Sequence, residues 1–144
     1  MRLSWTAADL SPLALAYVGD AIWELYARNH VLAGGIRKPN ELHKAATRYV
    51  RASAQARLAD QLGAILSAEE LTILRRGRNA KAGHMRKSTD VLTYRHSTGF
   101  EALLGYLYGT GQQERLDEVC ETALRWIDEW EDAGDAEKRK KDAP

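Results

Sequence analysis

The amino-acid sequence predicts an all-α fold, and three observations support this prediction. Apolar residues recur at intervals of three and four along most of the chain, and helix-capping residues precede several of these runs. No segment alternates apolar and polar residues as a half-buried strand does. The 144 residues, 44% of them hydrophobic, suit one domain with one sizeable core. We expect a helical domain over residues 5–132 and a charged, disordered tail at 133–144.

Three helices are predicted in the first half of the chain. The first begins after Ser11-Pro12, an N-cap residue followed by proline, and ends near Gly34-Gly35. Its expected buried stripe is apolar: Leu13, Ala16, Tyr17, Ala21 and Leu25. The second begins at Pro39-Asn40 and has its own apolar stripe: Leu42, Ala45, Ala46, Tyr49 and Val50. The third runs from Ser53 to Leu62.

Three more helices are predicted in the second half. Ser67-Ala-Glu-Glu70 is a capping-box pattern that opens a helix lasting to about Arg76, and the stretch from Gly77 to His96 is expected to be mostly loop. Thr98-Gly-Phe-Glu101 repeats the capping-box pattern and predicts a fifth helix that ends at Gly109. The last helix has the clearest buried stripe: Leu116, Val119, Cys120, Ala123, Leu124 and Ile127.

Composition excludes several classes of protein. The single cysteine, Cys120, cannot form an internal disulfide, and a zinc site built from a C-x-x-C motif is absent. The longest apolar stretch is interrupted by Asp20 and Glu24, which argues against a membrane span. The amino terminus also lacks the pattern of a signal peptide. We therefore expect a soluble cytoplasmic protein with no membrane partner.

The near-neutral net charge hides an asymmetry along the chain. Residues 1–111 carry 15 Lys and Arg against 9 Asp and Glu, whereas residues 112–144 carry 6 against 11. Because like charges repel, a polyanion is expected to bind the first part of the chain and to avoid the last part.

Two carboxylates stand among apolar residues on separate predicted helices. Asp20 lies in the segment Leu15–Ile22, and Glu101 lies in the segment Ser97–Tyr106. A carboxylate against an apolar helix face costs free energy unless a partner meets it, and two carboxylates repel unless a cation lies between them. Hard oxygen ligands suit Mg²⁺, with Mn²⁺ as the alternative. The competing interpretations are a solvent-facing Asp20 and a Glu101 that only completes its capping box.

Glycines beside both carboxylates favour the metal site. Gly19 precedes Asp20, and Gly105 lies one helical turn after Glu101. Glycine inside a helix costs about 0.5–1 kcal/mol relative to alanine, and close approach of two helix backbones is a reason to accept that cost. If the two helices cross at their glycines, the two carboxylates face each other.

A basic segment follows the fourth helix and contains seven Lys and Arg residues between Leu71 and His96. Its cations and amide are expected to contact nucleic-acid phosphates: Arg76, Arg78, Asn79 and Lys81. A second, weaker patch lies on the second helix at Lys44 and Arg48. Together the patches predict a ligand as long as an RNA or DNA duplex, and the alternative is an ordinary solvated surface.

Several motifs resemble the ribonuclease III family. Tyr17-Val-Gly-Asp-Ala21 resembles the Phe-Leu-Gly-Asp-Ala/Ser segment of its catalytic domain, and Phe100-Glu-Ala-Leu-Leu-Gly105 resembles its second acidic motif. The segments Lys38–Lys44, Arg75–Lys81 and Thr89–Thr98 are similar to those of the reduced bacterial form, Mini-ribonuclease III. That form lacks a separate double-stranded-RNA-binding domain, and the resemblance covers roughly residues 5–130.

The resemblance implies a homodimeric endonuclease that cuts double-stranded RNA with Mg²⁺ and leaves 5′-phosphate and 3′-hydroxyl ends. It implies maturation of both ends of precursor 23S ribosomal RNA. Asp20 takes the position of the catalytic aspartate, and Glu101 that of the metal-binding glutamate. Two further carboxylates of full-length ribonuclease III are replaced here by Ala16 and Thr98.

Two other functions remain open from the sequence. The loss of two carboxylates is compatible with a non-catalytic module that binds double-stranded RNA with the same fold. The acidic last helix is compatible with a helical adaptor that docks a protein partner.

Overall fold

The computed structural model describes residues 1–81 and 90–142, and it confirms the predicted all-α fold. Within these residues the chain forms six α-helices: α1 (Pro12–Ala33), α2 (Pro39–Val50), α3 (Ala52–Gln61), α4 (Ala68–Asn79), α5 (Val91–Gly109) and α6 (Gln113–Lys141). Short 3₁₀ helices precede α1 at Ala7–Asp9 and follow α3 at Leu62–Ala64. None of the described helices combines the length and apolarity needed to cross a membrane.

Helix α5 is the centre of the fold, and α1, α3, α4 and α6 all pack against it. Trp23 of α1 meets Phe100 of α5 edge to face, with ring centroids 5.0 Å apart. The Trp23 indole donates a hydrogen bond to the Tyr49 carbonyl of α2 at 2.9 Å. The core contains the following fully buried side chains: Trp23, Leu58, Leu62, Phe100, Leu103, Leu104, Leu107, Leu116, Val119, Cys120 and Ile127.

Several local predictions are confirmed. The Ser11 hydroxyl caps α1 by accepting from the Ala14 amide at 3.1 Å. Ser67 and Glu70 form the predicted capping box of α4, with bonds of 3.1 and 2.9 Å. Every residue of the predicted α6 stripe is buried, including the Cys120 thiol, whose pKa is raised by burial. Such local signals need few contacts elsewhere in the chain, which explains why they could be found in the sequence.

The predicted boundaries of α4 and α5 are wrong. Helix α4 continues to Asn79, and α5 begins at Val91, where the Asp90 carboxylate accepts from the Thr93 amide at 2.8 Å. Thr98 therefore lies inside α5, and its hydroxyl donates to the Tyr94 carbonyl at 2.9 Å instead of capping a helix. Gly77 and the lack of periodicity near it led to the prediction of a loop. The prediction failed because tertiary packing overrides the low helix propensity of glycine.

The predicted buried stripe of α1 is also wrong in part. The buried residues of this helix are spaced mainly by four: Leu15, Ala16, Gly19, Trp23, Ala27 and Val31. Tyr17 and Leu25, which were expected in the core, are 83% and 69% exposed. Helix α1 is apolar on more than one face, so periodicity alone could not identify the side that meets α5.

The C-terminal tail differs from the prediction as well. Residues from Ala133 were expected to be disordered, but α6 continues through them to Lys141, and their side chains are exposed. Alanine, glutamate, lysine and arginine are strong helix formers, so this segment continues the helix without packing against the core.

Candidate active site

Helices α1 and α5 cross in backbone contact at two glycines. A Cβ atom on Gly19 would lie 1.7 Å from the Glu101 carbonyl oxygen, and one on Gly105 would lie 2.0 Å from the Leu15 carbonyl oxygen. These distances leave no room for any side chain. The close crossing expected from the glycine spacing is thus present in the structure, and it brings Asp20, the residue after Gly19, beside Glu101.

The two carboxyl groups form a hydrogen-bonded pair. Burial, followed by the hydrogen bond and charge of Asp20, raises the pKa of Glu101 from 4.5 to about 9. At neutral pH Glu101 therefore keeps its proton and donates it to the Asp20 carboxylate. Asp20 is exposed and Glu101 is partly buried, so the pair lies at the floor of a site that is open to solvent.

The carboxyl pair fits a hard divalent ion. A cation between the two groups would compensate for the burial and the repulsion that together keep Glu101 protonated, and carboxylate oxygens are the ligands that Mg²⁺ prefers. Over residues 1–81 and 90–142, no set of three or more His, Cys, Asp or Glu side chains gathers into a metal site. Two protein ligands suit Mg²⁺, which commonly keeps several of its waters.

The surroundings of the two acids differ from both competing interpretations. Glu101 lies well inside α5, so it does not complete a capping box. Asp20 is exposed, as the competing interpretation expected, but it is also bonded to Glu101. Its neighbour Glu24 instead accepts from Arg28 at 3.3 Å and forms an ordinary helix ion pair.

The predicted phosphate-binding residues of the basic segment lie at the end of α4. Arg76, Arg78 and Asn79 belong to its last turns, and Lys81 lies two residues after its end. Of the remaining cations of this segment, Arg86 and Lys87 lie outside the described residues, and Arg95 lies on α5. Gly77 anchors these turns to α5, because its Cβ would lie 2.8 Å from that of Ala102. The α4 cations are therefore held against the helix that carries Glu101.

The two residues of the second predicted patch, Lys44 and Arg48, differ in their surroundings. Arg48 donates to Asp128 of α6 at 2.7 Å, which neutralises its charge, while Lys44 remains exposed. Both residues line a cavity beside His30, near the C-terminal end of α1. His30 is ten residues from Asp20, or about 15 Å along the helix. The structure thus places this patch apart from the carboxyl pair.

Asp128 was missed as the partner of Arg48 because the pair is separated by 80 positions in the chain. No local pattern links a basic residue on one helix to an acid on another so far away. The exposed face of α1 was missed for a different reason, since its apolar residues were assigned to the core.

Comparison with known proteins supports the all-α fold. The family model described as Ribonuclease III domain matches residues 13–112 of the chain. The crystal structure of a Fusobacterium nucleatum protein superposes with a TM-score of 0.72 at 31% identity, covering 81% of this chain and 93% of that one. The chain contains an all-α ribonuclease III domain.

Curated relatives narrow the assignment. A Mini-ribonuclease 3 of Symbiobacterium thermophilum is 49% identical over 89% of this chain and 98% of its own. A second, of Brevibacillus brevis, is 48% identical over 82% and 88% of the two chains. The chain therefore belongs to the ribonuclease III family, within its Mini-ribonuclease 3 group, and it is an endoribonuclease.

Proposed function

We propose that the chain is a Mg²⁺-dependent endonuclease that cuts double-stranded RNA at the pair formed by Asp20 and Glu101. Mn²⁺ is the alternative ion. The observation that supports this proposal is the carboxyl pair itself, at a crossing of two helices whose backbones touch without side chains between them. Burial, followed by the hydrogen bond and charge of Asp20, raises the pKa of Glu101 there to about 9. Proteins seldom keep such a costly pair without a use for it.

The two acids have distinct tasks. Glu101 would hold the ion from the partly buried side after losing its proton, whose pKa is raised first by burial and then by Asp20. Asp20 would hold the ion from the exposed side, where its carboxylate could also orient the attacking water. The bound ion would polarise the scissile phosphodiester and stabilise the leaving oxygen. The products carry 5′-phosphate and 3′-hydroxyl ends.

The cations at the end of α4 are proposed to hold RNA phosphates. Arg76 and Lys81 are exposed and Arg78 is partly exposed, and all three lie on or next to a helix end packed against α5. Asn79 and Lys44 are proposed to add weaker contacts. Arg48 has less charge to offer because Asp128 already binds it. Duplex RNA is recognised chiefly by shape, phosphates and 2′-hydroxyls, so base-reading groups are unnecessary.

Neutralising the three cations tests this surface. We expect the triple variant Arg76→Gln, Arg78→Gln, Lys81→Gln to bind duplex RNA about tenfold or more weakly at moderate salt. The slope of log K against log salt should fall by about two to three, since each phosphate contact contributes roughly one. Fluorescence anisotropy over a salt series measures both quantities. An unchanged slope would remove this surface from the interface.

We further propose a homodimer formed through the outer face of α1. Tyr17 and Leu25 are 83% and 69% exposed on this helix, and Leu32 is 42% exposed. Exposed apolar residues this large, on one helix face, indicate an interaction surface. A two-fold axis would pair the face with itself and place two carboxyl pairs on one particle, one for each RNA strand.

A charge placed in the α1 face should prevent dimerisation. We expect Leu25→Glu to reduce the particle mass in multi-angle light scattering from twice 16.1 kDa to the mass of one chain. Burying two glutamates that face each other across the axis costs more free energy than the apolar contact contributes to association. Ala133→Glu, a change at an exposed position on α6, is the control and should leave the mass unchanged. A dimeric Leu25→Glu protein would place the interface elsewhere.

A cleavage assay tests the central proposal. Purified protein should cut a long RNA duplex with Mg²⁺, leave single-stranded RNA of the same sequence intact, and stop when a chelator is added. Binding without cutting would instead favour the non-catalytic RNA-binding module. A protein that neither binds nor cuts the duplex would favour the adaptor.

We propose that the substrate is precursor 23S ribosomal RNA in the cytoplasm, cut at both of its ends. Mapping the ends of the cleaved precursor would test this proposal.

A further inference from the structure

Arg95 is an exposed cation that the proposed site does not yet use. It lies on α5, six residues before Glu101, in the exposed first turns of that helix. Residues four apart lie on the same helix face, so Arg95 shares a face with Gly99. A Cβ on Gly99 would lie 3.2 Å from the Arg78 amide nitrogen and 3.4 Å from its Cβ. The face that carries Arg95 is thus the face that meets the end of α4.

The direction of the two helices brings more cations to the same place. Glu69, at the start of α4, accepts a hydrogen bond from Tyr106 late in α5, whereas Gly77 contacts Gly99 earlier in α5. The helices are therefore antiparallel. Residues 79–81, which follow Arg78, consequently extend towards the turns of α5 that precede Gly99. Lys81 and Arg95 flank this same corner of the molecule.

The charge of Arg95 is free to bind a ligand. Within the described ranges 1–81 and 90–142, no carboxylate forms an ion pair with it. The nearest acid in sequence, Asp90, caps α5 through two bonds of 2.8 Å to Thr93. The residues one turn away on α5, Val91 and Gly99, carry no charge. Arg48, by contrast, is bound by Asp128 at 2.7 Å.

We propose that Arg95 binds a backbone phosphate of the RNA and positions the strand relative to the carboxyl pair. This inference rests on the proposed function. Because Arg95 and Glu101 belong to one rigid helix, they are separated by about 9 Å along its axis. That spacing places the guanidinium over a phosphate within a few nucleotides of the bond that is cut. Arg95 is a positioning residue, since it does not touch the carboxyl pair.

Substitution of Arg95 tests the inference, with Arg125 as the matched control. Arg125 is an arginine of α6 whose side chain is 63% exposed and forms an ion pair with Glu129 at 4.0 Å. We expect Arg95→Gln to raise the Kd for duplex RNA about three- to tenfold and to lower the salt slope by about one. Arg125→Gln should leave the Kd and the slope unchanged.

A charge-preserving variant separates binding from a structural role. Arg95→Lys should keep the salt slope, because a phosphate contact requires the charge more than the guanidinium shape. If Arg95→Gln melts early, Arg95→Met, which keeps the apolar stem, replaces it. A wild-type Kd and slope in the folded neutral variant would overturn the inference. Wild-type protein that binds duplex RNA without cutting it would overturn the proposed catalysis alone, since the Arg95 measurement is one of binding.

Discussion

Glu101→Gln is expected to abolish RNA cleavage and, at the same time, to stabilise the metal-free protein. The amide cannot carry the negative charge that holds a divalent ion, so activity should fall by a factor of about a thousand or more. Glutamine nevertheless has the shape of the protonated glutamic acid and can donate to Asp20 as that acid does. Loss of function and gain of stability from one substitution distinguish a functional carboxyl from a structural one.

The gain in stability should depend on pH in a defined direction. The pKa of Glu101 is about 9 in the folded protein and near 4.5 when the chain is unfolded. Below about pH 4.5 Glu101 is protonated in both the folded and the unfolded state, so its carboxyl group does not lower the free energy of unfolding. As pH rises towards 9, the unfolded chain releases the proton and the folded chain keeps it, so wild type loses stability. Glu101→Gln removes this loss, and its advantage should grow with pH.

Thermal melts in the presence of a chelator measure the effect. We expect a difference of about 2 kcal/mol at pH 8, after allowance for solvent screening, which corresponds to roughly 4–8 °C in a protein of this size. Asp20→Asn should likewise lose cleavage while remaining folded. Glu24→Gln, one turn further along α1, is the control and should retain activity. A cleaving Glu101→Gln protein would remove this residue from the active site.

Gly19→Ala should destabilise the fold severely. The added Cβ would lie 1.7 Å from the Glu101 carbonyl oxygen and 2.6 Å from its carbonyl carbon, and neither backbone atom can move aside alone. Helices α1 and α5 must separate, which opens the core around Trp23 and Phe100. We expect a loss of about 3 kcal/mol or more in the free energy of unfolding. Urea denaturation followed by circular dichroism measures it.

Gly134→Ala provides the matched control for the glycine substitution. Gly134 is also helical, but no atom lies within 4 Å of where its Cβ would stand. Alanine there should stabilise the protein by roughly 0.5–1 kcal/mol, as helix propensity predicts. If Gly19→Ala were tolerated equally well, the close crossing of α1 and α5 would be contradicted. Cleavage should fall together with stability in Gly19→Ala, because the crossing also sets the distance between the two acids.

Local signals explain which parts of the fold were predictable. The cap at Ser11 and the capping box at Ser67 act over three residues, and the α6 stripe faces one core along its whole buried length. The meeting of Asp20 and Glu101 could be predicted because glycines inside helices are costly and close crossing is a physical reason for them. The two carboxyl groups are 81 positions apart in the sequence, but the glycine near each of them is a local feature that indicates their contact.

The remaining errors share a physical cause. The ends of α4 and α5 were misplaced because Gly77 and Gly99 serve a crossing between those helices, so glycine there does not break the helix. The core face of α1 was misassigned because the helix is apolar on two sides, and only the position of α5 decides which one is buried. Sequence patterns describe single helices, whereas both errors concern how two helices meet.

The ion pairs between α6 and the α2–α3 corner have a consequence for how a polyanion meets the molecule. Asp128 and Glu131 bind Arg48 and Arg51, so acidic groups of the last helix screen the cations on that side. The cations near the end of α4 lack such a screen within the described residues. If the proposed α4 surface binds RNA, long-range attraction should favour approach to that side and should orient the molecule before contact. Productive collisions should become a larger fraction of all encounters, most visibly at low ionic strength.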